Sequence, residues 1–326
     1  AMALVSMALF NRGIEAASFT GSQAGFITDT NHMNAKILEV RAERVRAAVD
    51  AGHVPVVGGA QGVSTNKDVT FLGRGGSDTT AVALAEALGG VCELYTDVSG
   101  VFTTDPRVVP VARRMNHISF DEMLEMCAAG CPKPAMRAVE FARTHGVRLH
   151  VRSAFTWEPG TWITEEESEM EDAIVSGVVG DDSEAKITIT NVPDQPGVAA
   201  KVFRALASAD VNVDMIVQNV SEQGHTDISF TLPADELGHV LPLTEQVANE
   251  IGADRVLSDA SIAKVSLVGA GMKTNPGVAA TVFVFMLATK VYSTGMGVMF
   301  AILTLIPCIG LIVLLIINSK ATTILK

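Results

Sequence analysis

A glycine-rich stretch early in the chain carries the residue types that bind anions. Residues 71–90 read Phe-Leu-Gly-Arg-Gly-Gly-Ser-Asp-Thr-Thr-Ala-Val-Ala-Leu-Ala-Glu-Ala-Leu-Gly-Gly. Glycines let a backbone turn sharply and approach a ligand closely. Free N–H groups at the start of the following helix, together with Arg74 and Ser77, favour an anionic group. A simple connecting loop would also contain glycines, but it would need neither the arginine nor the Ser-Asp pair, so we favour a ligand site.

Two more loops are expected at the same edge of the fold. Strands and helices alternate along the first half of the chain, which is typical of an α/β domain with a mainly parallel sheet covered on both faces. Ligands in such sheets bind at the carboxyl ends of strands. Residues 59–62, 74–78 and 96–107 all follow predicted strands, so these loops should converge. Strands are predicted at 16–19, 54–57, 91–95 and 147–151, and helices at 1–12, 41–51, 120–129 and 135–145.

Composition limits the class of protein. The 326 residues are enough for two or three domains, and the net charge of -12 argues against nucleic acid or an anionic membrane surface as the main partner. Four scattered cysteines, with no further His or Cys to complete a metal site, are best interpreted as reduced thiols in a cytosolic protein. The apolar start of the chain has no basic segment, so we predict a core helix there and not a signal peptide.

An uncharged apolar segment near the end of the chain, residues 297–318, is long enough to span a bilayer as a helix. It contains Pro307 and Gly310, which membrane helices tolerate better than soluble ones. We therefore predict a transmembrane helix, which would place the chain at a membrane. The few lysines nearby leave its orientation open.

A repeat marks the second half of the chain. The sequence Pro-Gly-Val-Ala-Ala occurs at 196–200 and again at 276–280, each time after a predicted strand and at the start of a predicted helix. This self-similarity predicts duplicated modules. The first continues with strands at 211–220 and 226–232 and a helix at 235–251, a ferredoxin-like βαββαβ plan. The second is incomplete, because its helix runs into the apolar tail.

Several motifs, in order, resemble the aspartokinase family. Residues 72–80 resemble its substrate motif, and residues 95–107, Tyr-Thr-Asp-Val-Ser-Gly-Val-Phe-Thr-Thr-Asp-Pro-Arg, resemble its nucleotide motif. The paired modules resemble ACT domains. The resemblance covers about residues 3–283 and implies a three-layer αβα amino-acid-kinase domain followed by ACT modules.

The resemblance also implies an activity. The family transfers the γ-phosphoryl group of ATP, bound with Mg2+, to the side-chain carboxylate of L-aspartate. The product is 4-phospho-L-aspartate, and this is the first step of lysine, threonine and methionine biosynthesis in the cytoplasm. Lysine and threonine are the implied effectors, and assembly into homo- or hetero-oligomers through the ACT modules is expected.

Particular residues follow from the matched motifs. The aspartate-binding residues would be Arg74, Gly75, Gly76 and Ser77. Asp78 would be catalytic by orienting a lysine, although a helix N-terminal carboxylate stabilised by the dipole is an equally simple interpretation. The nucleotide-binding residues would be Thr96, Asp97, Phe102, Thr103, Thr104, Asp105, Pro106, Arg107 and Lys133. For the segment 105–107, an ordinary turn with a solvated arginine is the alternative.

Effector binding is expected on the first ACT module. A helix N-terminus after residue 197 suits an amino-acid carboxylate, and Asp194 or Asp214 would meet the ammonium group. Polar residues at even spacing share one face of a strand, although such a face can also simply be solvated. The residues carried over from the family are Asp194, Gly197, Val198, Ala199, Asn212, Val213, Asp214 and Gln218.

The sequence also departs from the family. No Lys-(Phe/Tyr)-Gly-Gly phosphate-binding motif occurs in it, so Asp78 has no such lysine to orient. Phe102 replaces a common tyrosine, and Pro132 replaces a lysine for which Lys133 would substitute. Losing a phosphate-binding group should reduce the rate by powers of ten, so we expect that this chain alone does not phosphorylate aspartate.

Two other functions are alternatives to an aspartokinase that lacks the N-terminal part of its kinase domain. A non-catalytic, amino-acid-sensing regulatory subunit, tethered to a membrane, would show effector binding without turnover. A glutamate 5-kinase fits the tandem ACT modules and the nucleotide motif less well. The expected domains are a kinase domain at 1–164, a linker and first regulatory strand at 165–185, ACT modules at 186–258 and 259–283, and the membrane helix at 297–318.

Overall fold

The structure, a computed structural model, describes residues 1–165, 176–209, 211–220 and 224–269. The chain forms two compact units. The first contains Ala1–Met126 and Lys133–Val178 and resumes at Leu267, and the second contains Cys127–Pro132 and Val179–Ser266.

The elements up to residue 164 include both strands and helices, but strands also follow one another in runs of two or three, so the predicted alternation holds only in part. The helices are α1 (Met2–Phe10), α2 (Glu43–Asp50), α3 (Gly76–Leu88), α4 (Phe120–Ala128) and α5 (Met136–His145). The strands are β1 (Ala16–Phe19), β2 (Phe26–Thr28), β3 (Ile37–Val40), β4 (Val54–Val57), β5 (Gln61–Ser64), β6 (Val69–Phe71), β7 (Cys92–Thr96), β8 (His117–Ser119), β9 (Leu149–Ser153) and β10 (Thr161–Thr164).

These strands form three small sheets, one parallel pair and two four-stranded sheets of mixed direction. Strands β1 and β4 pair in parallel, and the other two sheets have the orders β3-β2-β5-β6 and β7-β9-β10-β8. Pairs β2·β5, β7·β9 and β8·β10 are parallel, whereas β2·β3, β5·β6 and β9·β10 are antiparallel. The α/β class is confirmed, but the description as a mainly parallel sheet holds only in part. Strands β2, β3, β8 and β10 were not predicted. Strands of three or four residues show little periodicity, although β1 and β4 were predicted at the same length.

Helix α3 is anchored by its apolar face. Val82 and Ala83 are fully buried, and Ala83 belongs to a cluster with Phe19, Phe26 and Val45. The helix ends at Gly89, which adopts the left-handed conformation common after helix C-termini. This packing fixes the other end of α3, the glycine-rich turn.

Helix α1 is more exposed than the sequence predicted. The helix exists, but among the described residues none of its side chains is buried, and Leu4 and Phe10 are 69% and 70% exposed. The prediction of a core helix was therefore wrong. An apolar sequence indicates that burial is favourable, but it does not determine which surface covers the helix.

The second unit is a βαββαβ module, as predicted. Its elements are β12 (Glu184–Pro193), α6 (Val198–Ser208), β13 (Ile216–Val220), β14 (His225–Pro233), α7 (Leu237–Ile251) and β15 (Arg255–Asp259). The sheet order is β13-β14-β12-β15, with every pair antiparallel. Its core includes Ile187, Leu206, Ile228, Phe230 and Val240. Strands β11 (Gly177–Asp181) and β16 (Lys264–Val268) form a separate pair.

The remaining predictions concern the end of the chain. The predicted second module, 259–283, is described only as far as residue 269, and the predicted membrane helix at 297–318 lies outside the described residues. Within the described ranges no helix has the length and hydropathy needed to cross a membrane.

The predicted strand at 211–220 begins only at Ile216, so Asn212 and Asp214 precede β13.

Candidate active site and regulatory site

The glycine-rich turn joins β6 to α3 and leaves its charged side chain open. Arg74 and Ser77 are exposed, and no ion pair or hydrogen bond of the Arg74 guanidinium occurs within the described residues. Gly75 caps α3 with φ +70°. The Gly76 N–H donates to the Gly73 carbonyl oxygen at 3.1 Å, so this amide, expected to face a ligand, is used within the turn.

Close packing explains the two glycines that begin α3. A Cβ added at Gly75 would lie 2.5 Å from the Cβ of Ala135. One added at Gly76 would lie 2.9 Å from the Cβ of Leu72 and 3.1 Å from that of Ala60. The turn is therefore in contact with the segment before α5 and with the loop after β4.

Hydrogen bonds join the loop after β4 to the same turn. The Ala60 N–H donates to the Thr80 hydroxyl oxygen at 2.9 Å, and the Leu72 N–H donates to the Ala60 carbonyl oxygen at 2.9 Å. At Gly59 an added Cβ would lie 3.2 Å from the Cβ of Ser77. Two of the loops expected to converge are thus in direct contact.

The start of α5 is held by two side chains. The Asp78 carboxylate accepts the Ala135 N–H at 3.1 Å. Arg137 donates from Nη1 to the Leu72 carbonyl oxygen and from Nη2 to that of Ala35, both at 2.7 Å. Asp78 therefore has a structural contact in this chain, in addition to either role considered from the sequence.

The third loop is reached through Lys133. Its ammonium lies 2.8 Å from Asp97 Oδ1 and 3.4 Å from the Thr96 hydroxyl oxygen. The Lys133 hydrogen bond, with help from Thr96, lowers the pKa of Asp97 to about 2. Because Ala135 contacts the glycine turn, residues 133–135 link this turn to Thr96 and Asp97 at the start of the third loop. The three loops expected to converge are thus connected through the glycine turn.

The rest of the predicted nucleotide segment is held by its own neighbours. Phe102 forms a β-bridge with Arg114, and the Thr103 N–H donates to the Arg113 carbonyl oxygen at 2.9 Å. Arg107 forms an ion pair with Asp105 at 2.7 Å while remaining 77% exposed at its side chain. This pair lowers the pKa of Asp105 and raises that of Arg107, to which the charge of Asp97 also contributes. Thr104 and Pro106 are half-buried between these contacts.

The predicted effector residues lie in the second unit. Gly197, at φ +92°, caps α6, and Val198 and Ala199 form its first turn. Asp194 is exposed and donates its N–H to the Gly224 carbonyl oxygen at 2.9 Å. Asn212 and Gln218 are exposed and Val213 packs against the core.

Asp214 differs from the other effector candidates because its carboxylate is already paired. Lys264 Nζ lies 2.5 Å from Asp214 Oδ2 and 2.7 Å from Glu184 Oε1. The Lys264 hydrogen bond lowers the pKa of Asp214. Burial alone would lower the pKa of Lys264, but its bonds to both carboxylates outweigh this and raise it.

Comparison with known proteins decides the family. The sequence matches the amino acid kinase family over residues 1–153 and the ACT domain over residues 187–243. It is 54% identical over 285 residues to the aspartokinase of Mycolicibacterium smegmatis, covering 86% of this chain and 68% of that protein. It is 50% identical over 285 residues to the aspartokinase of Pseudomonas aeruginosa, covering 86% of this chain and 69% of that protein.

The chain belongs to the aspartokinase family. Solved structures of aspartokinases have a similar fold. Aspartokinase III of E. coli in complex with aspartate and ADP has a TM-score of 0.72 and 26% identity, with 89% of this chain and 65% of that chain covered. The same enzyme in complex with lysine and aspartate gives 0.68 and 27%, with 87% and 64% covered.

Three residues of this aspartokinase chain were missed from the sequence. Arg137 gave no signal beyond its place on an amphipathic helix, since its partners are two carbonyl groups distant in sequence. Glu184 and Lys264 lie eighty positions apart in separate strands. Glu184 alternates with Ala185, Ile187 and Ile189, a pattern that predicts the opposite, exposed face of the strand, and no sequence pattern pairs it with Lys264.

Proposed function

We propose that this chain binds L-aspartate and ATP where the three loops meet, for transfer of the γ-phosphoryl group to the aspartate side-chain carboxylate. One observation carries the proposal: Arg74 is exposed and unengaged within the described residues, on a turn packed against Ala135, two residues from the Lys133 that pairs with Asp97. A fork-shaped guanidinium suits a carboxylate because it can donate two parallel hydrogen bonds.

The chemistry requires two anions to approach each other. Phosphoryl transfer depends mainly on positioning and on neutralising charge. We assign aspartate binding to Arg74 and Ser77, with Gly75 and Gly76 permitting close approach of the substrate. Asp78 holds the Ala135 N–H and so fixes the distance between the substrate turn and Lys133.

Nucleotide binding is assigned to the opposite side of this meeting point. Lys133, Thr96 and Asp97 form one polar group, and the segment 102–107 lies next in sequence. No cluster of three metal-ligating side chains occurs among the described residues. A single carboxylate such as Asp97 fits a Mg2+ ion carried by the nucleotide phosphates, because such an ion needs only one or two protein carboxylates.

The ACT module is assigned amino-acid sensing, with lysine or threonine as the effector. The α6 N-terminus, with Gly197, Val198 and Ala199, would receive the carboxylate. Asp194 or Asp214 would receive the ammonium group, with Asn212, Val213 and Gln218 nearby in sequence. The exposed apolar side chains of Met215, Ile216 and Val217 at the edge strand β13 support assembly of copies through this module.

A second candidate is a non-catalytic amino-acid-sensing subunit. The observation in its favour is that the first ACT module is complete and has its own core. Such a subunit would bind lysine or threonine and would bind neither aspartate nor ADP. The same titrations therefore separate the two candidates.

The decisive experiment is calorimetric titration of the purified chain with L-aspartate, with ADP present. We expect binding by the unaltered chain and a loss of about tenfold or more in Arg74→Ala, because a charge-assisted hydrogen bond is removed. Arg12→Ala, which removes an exposed arginine elsewhere, is the matched control and should bind normally. Equal affinity in all three proteins would refute the assignment of Arg74. An ATP-dependent hydroxamate assay tests our separate expectation that the chain alone gives no turnover.

A further inference from the structure

Three charged side chains of the second unit converge on one point. Lys264 Nζ lies between Glu184 Oε1, at 2.7 Å, and Asp214 Oδ2, at 2.5 Å. The side chains of Lys264 and Glu184 are only 11% and 9% exposed, whereas that of Asp214 is 45% exposed. The cluster therefore has a buried half, Lys264 with Glu184, and a half that solvent can reach, Asp214.

Contacts with β14 hold the main chain at both acidic residues. The Asp214 N–H donates to the Thr231 carbonyl oxygen at 3.0 Å, and the Met215 N–H donates to the Thr231 hydroxyl oxygen at 3.2 Å. Glu184 begins β12 and pairs in register with Pro233 of β14. Since the main chains of both acidic residues are held against β14, the long Lys264 side chain, with the most rotatable bonds, is the part of the cluster with the greatest freedom to move.

One buried carboxylate oxygen of the cluster lacks a hydrogen-bond partner among the described residues. Two carboxylates face one ammonium, and Glu184 Oε2 is buried without a hydrogen-bond partner within the described residues. Buried polar atoms normally have a partner. A lysine has three N–H donors, so Lys264 could bond to both oxygens of Glu184 if it left Asp214.

We propose that Lys264 is an internal occupant of the effector's ammonium position. Asp214 becomes available to an amino acid only when the Lys264 ammonium withdraws onto Glu184. The ammonium group of the effector therefore competes with the ammonium group of Lys264. The affinity for the effector is lower than it would be if Asp214 had no partner. This inference rests on the proposed amino-acid sensing by the ACT module.

The size of the effect follows from the exposure of Asp214. A half-exposed ion pair is weak, because water screens it. Its removal should therefore tighten effector binding modestly, by about three- to tenfold. A fully buried competitor would have a larger effect, but Asp214 is not fully buried.

The test uses two variants of the full chain and a control. Lys264→Met frees Asp214 but leaves Glu184 buried and unpaired, which endangers folding. Lys264→Met/Glu184→Gln removes the buried pair as a unit and also frees Asp214. Arg255→Met is the control, since it removes one exposed positive charge on β15, at the opposite edge of the sheet from β13.

Calorimetric titration with L-lysine and with L-threonine gives the readout. We expect the double variant to bind one of them about three- to tenfold more tightly than the unaltered chain, and Arg255→Met to match the unaltered chain. Binding by the double variant alone would support the inference. Equal or weaker binding by the double variant, with normal binding by the unaltered chain, would overturn it.

Two further outcomes keep the inference separate from the proposed function. If none of the proteins binds an amino acid, amino-acid sensing itself is refuted, and the inference falls with it. If the double variant does not fold, NMR of the Lys264 side-chain ε-CH2 group in the unaltered chain decides. A shift of this signal on effector saturation is expected, and an unchanged signal would contradict displacement of Lys264.

Discussion

The candidate kinase site and the ACT module differ in whether their main charged side chain already has a partner. Arg74 of the kinase site is exposed and pairs with no described residue, while Asp214 of the ACT module is already neutralised by Lys264. A ligand that arrives at Arg74 gains a new ion pair, whereas one that arrives at Asp214 must replace an existing pair. Under the proposed function, the first arrangement would raise the affinity for the substrate, and the second would lower the affinity for the effector.

The difference comes from where each site obtains its rigidity. Around Arg74, other side chains do the positioning: Asp78 holds Ala135, Thr80 holds Ala60 and Arg137 holds Leu72. The ligand-facing charge is therefore left unused. In the ACT module the candidate ligand-facing residue Asp214 takes part in the supporting network itself.

The largest effect should come from breaking the buried half of the ACT cluster. Lys264→Met should lower the free energy of unfolding of the module by about 3–5 kcal/mol, because it leaves Glu184 charged and buried. Lys264→Met/Glu184→Gln should recover most of this loss, since a neutral replacement of the whole pair is tolerated. Urea unfolding curves of the two variants measure the difference. Equal losses would show that the pair does not act as a unit.

A glycine pair tests the packing of the kinase site. Gly75 and Gly89 lie at opposite ends of α3 with nearly the same φ, +70° and +72°, but only Gly75 faces a close neighbour, Ala135. Gly89→Ala should cost about 1–2 kcal/mol for the left-handed backbone alone. Gly75→Ala should cost more and should also weaken aspartate binding. Thermal unfolding and calorimetry measure both, and equal behaviour of the two variants would contradict the close contact.

Lys133 tests the nucleotide side of the same meeting point. Lys133→Met should weaken ADP binding by about tenfold, because it removes a cation near the proposed phosphate position. It should also raise the pKa of Asp97 from about 2 toward its ordinary value. Lys67→Met, at an exposed turn, is the matched control. An unchanged ADP affinity in Lys133→Met would remove Lys133 from the nucleotide site.

Acidification should produce the smallest effect. The folded-state pKa of Asp214 is lowered by Lys264, so its ion pair stabilises the module above the unfolded pKa, near 4. This contribution is lost as the pH falls through the lowered pKa. The difference in unfolding free energy between the unaltered chain and the double variant should be steady from about pH 5 to 8 and should change below about pH 4. A difference that is independent of pH would contradict the pairing.

The sequence predicted local features well and long-range partners poorly. The turn at 72–78, the strand at 54–57 and the βαββαβ order followed from glycine positions and periodicity. The convergence of the three loops followed from the rule that ligands bind at strand ends. Motif identity assigned the substrate and nucleotide residues, and these roles stay predictions.

Other features could not be predicted, because they depend on tertiary neighbours. Helix α1 is apolar yet exposed among the described residues. Strand β13 starts five residues later than expected, and the two residues before it, Asp214 and Met215, bond to Thr231. The Arg137 bonds to Leu72 and Ala35 connect groups up to 102 positions apart. No periodicity in a single sequence encodes such partners.

The central claim is that the Asp214 carboxylate is already paired with Lys264 of the same chain, whereas the Arg74 guanidinium has no partner among the described residues. NMR titration of the Asp214 side-chain carboxyl carbon tests it most directly, in the unaltered chain and in Lys264→Met/Glu184→Gln. We predict a pKa below the ordinary aspartate value in the unaltered chain and a rise toward that value in the double variant. The same pKa in both proteins would contradict the claim.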